Sequence, residues 1–376
     1  NTTGTDNVAI GKDCMLANNA SNNVAIGNQA LTANSTGTYL VAIGNESLKA
    51  NTTGNSNVGI GPWSLLANTT GAENIGIGHD ALKANTTGTR NIAIGSAAYT
   101  ASDTENDNIA IGFNAMTTNT AGGSQNVAIG NYAMDALTSG DSNVAVGHNA
   151  LTTNTTGAYN TAIGDSALSA NTTGSYNTAF GYSTLADSTT GSNNTAVGDR
   201  SLNAHTTGDH NTGIGFATLY ELTTGTGNVA LGRDAGRNSS PSGSITTQSN
   251  RLVVGDNNIT NAYVKVDWTV TSDARDKTDI TNFSHGLNYV NQLRPVNYVW
   301  DNRTDYEDNV RDGTHKKDLV DIGFLAQEVK TIETDLGIDN HAIVDTSNSD
   351  SFGMKYNKLI PVLVNAIQEL SAEIEI

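Results

Sequence analysis

A glycine recurs at nearly constant intervals through the first two-thirds of the chain. It closes the run Asn-Val-Ala-Ile-Gly at residues 23–27 and falls at positions 11, 27, 44, 61, 78, 95, 112, 130, 147, 164, 181, 198, 215 and 232. The steps are 16, then five of 17, one of 18 and six of 17. Such a period indicates a solenoid, in which each repeat forms one coil and packs on its neighbours.

Every repeat has the same internal order. In the β-prone run, Val24 and Ile26 fall on one face of a strand and Ala25 on the other. A small apolar step such as Ala30-Leu31 follows, and then a corner such as Asn-Thr-Thr-Gly at residues 51–54. Glycine supplies positive φ at such corners, and Asn and Thr supply local hydrogen bonds. The repeated Gly and Asn/Thr clusters exclude a helix.

We therefore predict a mainly β, parallel β-solenoid over residues 1–237, with an interior filled by Val, Ile, Leu and Ala. Fourteen coils spaced by about 4.8 Å give a rod on the order of 65 Å long. One coil of about 17 residues encloses little volume, and aromatic residues that could fill it make up only 6% of the chain. Three rods that share an apolar face would bury more surface per residue, which favours a homotrimer.

The repeats at residues 23–27 and 126–130, followed by Ala-Leu and Asn-Thr-Thr-Gly, resemble the head repeats of trimeric autotransporter adhesins. This resemblance implies a left-handed parallel β-roll assembled as a trimer. The sequence starts within a repeat and without methionine, so we expect it to be part of a longer protein that includes an N-terminal attachment region.

The simplest interpretation of the Asn/Thr turns is solvated corners. The functional alternative is a glycan-binding surface built from these corners and from scattered aromatic side chains, namely Trp63, Tyr39, Tyr159, Tyr176 and Tyr182. Isolated exposed aromatic side chains are also ordinary on protein surfaces. Ice binding is disfavoured, because the threonines lie in turns with variable neighbours.

Charge and composition exclude several classes of function. The net charge is −18, divided into 9 basic and 18 acidic residues (−9) in 1–271, and 10 basic and 19 acidic (−9) in 272–376. No basic patch is interleaved with aromatics, which disfavours nucleic-acid binding. Cys14 is the only cysteine, so no intrachain disulfide forms. No apolar run of 18 residues occurs, so membrane insertion is not expected.

We expect no cofactor and no metal site. His285, His315 and His341 are too dispersed to read as ligands, and the acidic residues between 301 and 308 read as a solvated loop.

Residues 238–271 form a connector in which the period breaks. Ser-Ser-Pro-Ser-Gly-Ser at 239–244 indicates a loop, and residues 251–255 indicate a strand. From Ala262 to Val270, apolar and polar residues alternate, which predicts a half-buried strand that leads to residue 272.

Residues 272–376 contain no repeat and four motifs in order: Ser-Asp-Ala-Arg-Asp-Lys-Thr-Asp-Ile at 272–280, Leu-Arg-Pro-Val-Asn-Tyr-Val-Trp at 293–300, Ile-Gly-Phe-Leu-Ala-Gln-Glu-Val at 322–329, and 356–370. Together they resemble the endosialidase-type intramolecular chaperone, a self-cleaving serine peptidase family at the C-terminus of phage tail spikes and fibres. The resemblance implies a small α+β domain. It also implies a cut between Thr271 and Ser272, with Ser272 as nucleophile and Lys277 as base. Gln327 and Glu328 lie in the third motif, and their role in cleavage is left open.

A Ser-Lys dyad makes chemical demands on this short segment. Lysine removes a proton from serine only when it is neutral, so its pKa of about 10.4 must fall by several units. Arg275 favours the neutral form, whereas Asp273 and Asp276 oppose it; we expect the dyad to form when trimer packing desolvates Lys277. Five residues of straight strand span about 16 Å, so the chain must turn. From spacing alone, the simpler interpretation is that Ser272-Asp273 is a turn or helix cap and that Lys277 is a surface charge. The family motifs favour the dyad.

A helix is predicted from about residue 355, with apolar residues near heptad spacing at Leu359, Leu363, Ala366, Ile367, Leu370 and Ile374. It either begins a trimeric coiled coil or packs on its own domain.

These features suggest a division of labour. Identical coils can pair out of register, and an aperiodic C-terminal domain that trimerises would align them. We therefore expect a viral tail-fibre or tail-spike adhesin, located on the virion, that binds a host-surface glycan and releases its chaperone after assembly. The alternative is a cellular trimeric adhesin or stalk at the cell surface that retains the domain. A glycan-degrading spike is disfavoured, because no pair of carboxylates recurs at a constant position.

Overall fold

The computed structural model describes residues 3–119, 122–259, 261–265, 270–307, 310–338, 342–347 and 352–374. The chain forms two compact units: residues 1–237 with 244–256, and residues 238–243 with 257–376. In the described part of the chain, no helix has the length and apolar character needed to cross a bilayer.

The first unit is built on one sheet of fifteen parallel strands in sequence order, with one three-residue strand per coil. The strands are β1 Val8–Ile10, β2 Val24–Ile26, β3 Val41–Ile43, β4 Val58–Ile60, β5 Ile75–Ile77, β6 Ile92–Ile94, β7 Ile109–Ile111, β8 Val127–Ile129, β9 Val144–Val146, β10 Thr161–Ile163, β11 Thr178–Phe180, β12 Thr195–Val197, β13 Thr212–Ile214, β14 Val229–Leu231 and β15 Leu252–Val254. Equivalent residues pair directly, as Val24 with Val41. The predicted parallel β-solenoid and the strand within 251–255 are confirmed.

The interior of the solenoid differs from the prediction. Alternation along the strands is confirmed, but from β2 to β15 the middle residue is the buried one. Ala25 is fully buried, whereas Val24 and Ile26 face outward and are only half-buried. The expectation that Val and Ile fill the interior is therefore wrong. Space at this inward position is limited in some coils: a Cβ added at Gly59 would lie 2.5 Å from Ser47 Oγ.

The corners contain two ladders of buried asparagines. In one ladder, Asn51 Nδ2 donates to Asn34 Oδ1 and to Gly54 O, both at 3.1 Å. In the other, the backbone N–H of Asn74 donates to Asn57 Oδ1 at 2.9 Å. The prediction of solvated corners is thus wrong for the asparagines, which have no exposed surface. Their amides satisfy inward-facing backbone groups that water cannot reach.

Glycine meets two separate needs in each coil. The strand-end Gly27 has φ +141°, in the region that disfavours side chains. Gly54 is required by space instead, because a Cβ there would lie 2.2 Å from Gly71 O. Residues with side chains also take positive φ at recurring positions, such as Leu31 at 52° and Tyr39 at 59°.

In two corners of the described solenoid, a side chain of the corner accepts hydrogen bonds from the backbone N–H groups of that same corner. In an ordinary corner the two threonine N–H groups donate to the next coil, as Thr69 and Thr70 do to Thr86 O. At residues 103–105, the N–H groups of Asp103 and Thr104 instead donate to Glu105 Oε2, at 3.0 and 3.1 Å. Glu105 occupies a position that is glycine in the four preceding coils, and the 18-residue step follows it.

The last corner repeats this device. The Oε1 atom of Gln248 accepts from the N–H groups of Thr246 and Thr247, at 2.7 and 3.1 Å. A side chain thereby replaces the acceptor that a following coil provides elsewhere.

The second unit is a small α+β domain. Its elements are α1 Leu287–Val290, β16 Val296–Val299, β17 Val320–Gly323, α2 Ala326–Asp335, β18 Val344–Asp345, β19 Gly353–Met354 and α3 Leu359–Ile374. The pairs β16–β17 and β18–β19 are antiparallel. The core consists of Tyr289, Val329, Ile332, Ile343, Val344, Leu359 and Val362.

Two sequence expectations near this domain have definite outcomes. The helix predicted from about residue 355 begins at Leu359, after a 3₁₀ turn at Tyr356–Lys358. The strand predicted from Ala262 to Val270 is not formed at residues 261–265, nor at 270, and its residues 266–269 lie outside the described part.

Candidate functional site

The segment that begins at Ser272 folds back on itself within five residues. A 3₁₀ turn spans Ala274–Asp276, and the Lys277 N–H donates to Ala274 O at 3.2 Å. The turn places Lys277 Nζ 2.6 Å from Ser272 Oγ and 3.2 Å from Ser272 O. The two residues predicted as a dyad therefore lie in hydrogen-bond contact, and Thr271 directly precedes them.

An ion pair between Arg275 and Asp273 lies within the same turn. The Asp273 carboxylate accepts from Arg275 Nε at 3.1 Å and from Nη2 at 2.5 Å. The Arg275 guanidinium holds the pKa of Asp273 below its usual range, and Asp273 raises the pKa of Arg275. The sequence suggested that Arg275 acts on Lys277, but its charge is directed at Asp273.

The dyad is open to solvent in the single chain. Thr271, Ser272 and Lys277 are all exposed. A charged ammonium can donate to Ser272 Oγ but cannot accept its proton, whereas burial favours the neutral amine. The described chain thus brings the Lys277 amine and the Ser272 hydroxyl into contact but leaves both exposed to water.

Glu328, on α2, forms an ion pair with Arg294. Arg294 Nε lies 3.1 Å from Glu328 Oε2, and the guanidinium lowers the pKa of the Glu328 carboxyl. The contact joins the second and third motifs of the domain. Gln327 occupies the adjacent position on the same helix.

Two carboxylates that the sequence analysis did not single out hold the domain together. Buried Glu333 accepts from the N–H groups of Ile343 at 2.8 Å and Val344 at 3.3 Å. Glu369, on α3, accepts from the N–H of Leu287 at 2.6 Å and so satisfies the start of α1. No local motif marks either residue, because the partners lie far away in sequence.

Two of the three histidines that the sequence analysis considered pack on aromatic rings. His285 packs its ring on Phe283, and His315 packs on Tyr306, with ring centroids 5.6 and 4.9 Å apart. His341 lies outside the described residues. Among the residues that the structure describes, no group of three or more His, Cys, Asp or Glu could hold a metal ion.

Helix α3 has two apolar faces. Leu359, Val362 and Ala366 are buried, and the first two belong to the domain core. A second row, the α3 seam, is exposed and consists of Ile360, Leu363, Ile367, Leu370 and Ile374. Its spacings of three and four residues place Ile at a and Leu at d of a heptad. The prediction of a helix packed on its own domain is met by the first face, and the seam is exposed in the described chain.

Comparison with known proteins agrees with this geometry. Residues 272–338 match the family described as chaperone of endosialidase, and the match begins at Ser272. No curated protein and no solved structure matches the chain.

This family indicates a self-cleaving intramolecular chaperone. Preceded by a fifteen-strand β-solenoid, it gives the chain the organisation of a tail-spike-like protein with a C-terminal chaperone domain.

Proposed function

We propose that this chain forms a trimeric viral tail fibre or tail spike that adheres to a host-surface glycan. Its C-terminal domain aligns three chains and then releases itself by a cut between Thr271 and Ser272. The observation that carries the cleavage proposal is the 2.6 Å contact between Lys277 Nζ and Ser272 Oγ, at the residue where the family match begins.

The reaction follows from the two side chains. Neutral Lys277 takes the proton of Ser272 Oγ, which attacks the Thr271 carbonyl carbon. The Thr271–Ser272 amide bond breaks, its nitrogen takes the proton back from the Lys277 ammonium, and an ester joins the Thr271 acyl group to Ser272 Oγ. Water then hydrolyses this ester, which leaves a Thr271 carboxylate and a free Ser272 hydroxyl and amine.

The cleavage test is an expression experiment on the full chain. Denaturing electrophoresis and intact mass should show a fragment that begins at Ser272 in the native protein and only full-length chain in Ser272→Ala and Lys277→Ala. Lys277→Arg is the sharper control, because a guanidinium keeps the positive charge and donor capacity but does not become neutral. We expect it to remain uncleaved. Equal processing of all four proteins would remove the dyad.

We propose that assembly provides the missing desolvation. Two surfaces of the described chain suit a second and third copy: the α3 seam in the chaperone domain, and the outward Val and Ile rows of the solenoid strands. Packing three copies through these surfaces buries apolar area and withdraws Lys277 from water, so that cleavage follows assembly.

The assembly test changes the α3 seam alone. Ile367→Asp places a charge in the middle of the seam, where it is 67% exposed in the single chain. We expect this variant to be monomeric by light scattering and to remain uncleaved. Gln368→Asp, on the exposed neighbouring position outside the seam, is the matched control. Isolated Ile-a/Leu-d coiled coils favour two strands, so a two-chain mass would overturn the threefold assembly.

The glycan partner is proposed from exposed aromatic side chains. The rings of Tyr159 and Tyr176 stack with centroids 5.0 Å apart and planes 6° apart, and they are 54% and 58% exposed. Trp63, which is half-buried, has its ring centroid 4.9 Å from that of His79, and the ring of exposed Tyr182 lies 5.9 Å from the Arg200 guanidinium. Exposed apolar rings beside polar groups are typical of interaction surfaces.

Glycan binding is tested with the stacked pair. On an array of host-surface glycans, we expect Tyr159→Ala and Tyr176→Ala to weaken binding at least tenfold. Tyr39→Ala separates the stacked pair from the wider set of rings that the sequence suggested, since Tyr39 is 65% exposed and holds the same corner position in a coil whose neighbours carry Asn22 and Ser56. Equal losses in all three variants, or none, would contradict the assignment.

A native chain that stays uncleaved would favour the alternative, a cell-surface adhesin that retains its chaperone domain.

A further inference from the structure

The distance between Ser272 and Lys277 is set by one short turn. An extended chain would separate the two side chains by about 16 Å. The observed separation of 2.6 Å depends on the 3₁₀ turn at Ala274–Asp276, which reverses the chain between them. Any contact that stabilises this turn also determines how often the Lys277 amine meets the Ser272 hydroxyl.

Asp273 makes the contacts that close the turn. It is the N-cap residue, with extended backbone (φ −69°, ψ 130°), and its Oδ1 accepts from the Arg275 N–H at 2.9 Å. Its carbonyl accepts from the Asp276 N–H at 3.3 Å. An N-cap side chain that accepts a backbone N–H typically stabilises the following turn by about 1 kcal/mol.

The Arg275 side chain governs the charge of the same carboxylate. A carboxylate near an amine favours the charged ammonium and would oppose base catalysis by Lys277. Here the Asp273 carboxylate is shared between the Arg275 backbone N–H and its guanidinium. Asp273 can therefore hold the turn while its negative charge is compensated locally.

We infer that Asp273 is a positioning residue for self-cleavage, which caps the turn that carries Lys277 to Ser272 and takes no part in proton transfer. This inference rests on the proposed self-cleavage. It predicts that the rate of cleavage depends on a hydrogen-bond acceptor in the side chain of residue 273 and does not depend on the negative charge of that side chain. Asparagine and serine are good N-cap residues, whereas alanine is not.

The test measures the rate of cleavage in the full chain. We expect Asp273→Ala to slow the appearance of the Ser272 fragment about fivefold, the equivalent of a 1 kcal/mol cap. Asp273→Asn and Asp273→Ser should stay within about twofold of the native rate. Asp276→Asn, within the same turn, is the control for loss of a negative charge. If Asp273→Asn is as slow as Asp273→Ala, or if Asp273→Ala cleaves at the native rate, the inference is overturned.

A second measurement separates this inference from the cleavage proposal. In the Ser272→Ala background no cleavage is expected, so amide hydrogen exchange can report on the turn itself. The Arg275 and Lys277 N–H groups should lose protection in Asp273→Ala and keep it in Asp273→Asn. Unchanged protection in Asp273→Ala would overturn the inference even if the native chain proved not to cleave. Cleavage in the Ser272→Ala background would instead contradict the assignment of Ser272 and Lys277 as a dyad, and it would leave the role of Asp273 in the turn untouched.

Discussion

Glu105 provides the sharpest test of how the solenoid tolerates an irregular coil. It is buried, with 3% of its surface exposed. Its Oε2 accepts from Ser102 Oγ at 3.0 Å and from the N–H groups of Asp103 and Thr104, and its Oε1 accepts from the Gly122 N–H at 3.1 Å. Four donors thus depend on one carboxylate.

The expected loss can be worked from these contacts. Hydrogen bonds to charged groups contribute about 1.5–3 kcal/mol each when buried. The donors at Asp103 and Thr104 are partly accessible to water, so we expect Glu105→Ala to cost about 3–5 kcal/mol rather than the full sum. Glu105→Gln keeps an oxygen for three donors and turns an NH₂ toward Gly122, which should cost about 1–2 kcal/mol.

Hydrogen exchange across residues 99–125 of the full chain is the suitable assay, because repeat proteins open locally. In Glu105→Ala, the Asp103, Thr104 and Gly122 N–H groups should exchange at least a hundredfold faster, about 2.7 kcal/mol. Exchange near Gln248 should not change. The informative comparison is Glu105→Gly, which restores the residue of the preceding coils. If Glu105→Gly is as protected as the native chain, the carboxylate does not replace a missing acceptor.

Three further predictions concern stability. Burial lowers the pKa of His205 to about 4, below about 6.5 when unfolded, so its neutral form stabilises the fold above pH 6.5. This contribution, about 3 kcal/mol, is lost as pH falls from about 6.5 toward 4; His205→Asn should flatten the pH dependence of thermal unfolding. Gly71→Ala puts a Cβ 2.4 Å from Gly88 O and should lower the unfolding free energy by about 2–3 kcal/mol in denaturant titration. The Tyr289 hydroxyl is buried without a hydrogen-bond partner in the described chain, so Tyr289→Phe should leave the melting temperature unchanged or raise it; a clear drop would show that the hydroxyl is satisfied.

The repeat period predicts the strands of the solenoid but not which side of them faces inward. Alternation places Val24 and Ile26 opposite Ala25, and hydrophobicity alone favours the branched pair as the core. The closed coil reverses that choice: Ala25 is buried with Leu31 and the ladder asparagines, whereas Val24 and Ile26 are half-buried. Which side chains fit inside depends on the width of the coil. Width is a property of the closed coil and cannot be read from one strand.

The candidate site shows a similar limit. Spacing alone shows only that Ser272 and Lys277 would be too far apart for a hydrogen bond if the chain were extended. The resemblance to the family motifs is what predicted that the two residues act together. The turn that joins them is closed by contacts between Asp273 and Arg275. The sequence analysis considered a turn or cap at Ser272-Asp273 only as an alternative to the dyad, not as the structure that brings Lys277 to Ser272. The partners of Glu333 and Glu369 could not be predicted, because those contacts join distant parts of the chain.

At Glu105 and Gln248, a side chain accepts the N–H groups of its own corner, and this bears on how such a shaft can change length. Elsewhere each corner depends on the one above it, so removing a whole 17-residue unit merely replaces one neighbour by an equivalent one. A corner whose own side chain accepts its backbone N–H groups needs fewer acceptors from the next coil, although Glu105 still bonds that coil through the Gly122 N–H. Such a shaft can therefore lengthen or shorten by entire units, and it accepts an irregular coil, such as the 18-residue step, directly after a corner of this kind.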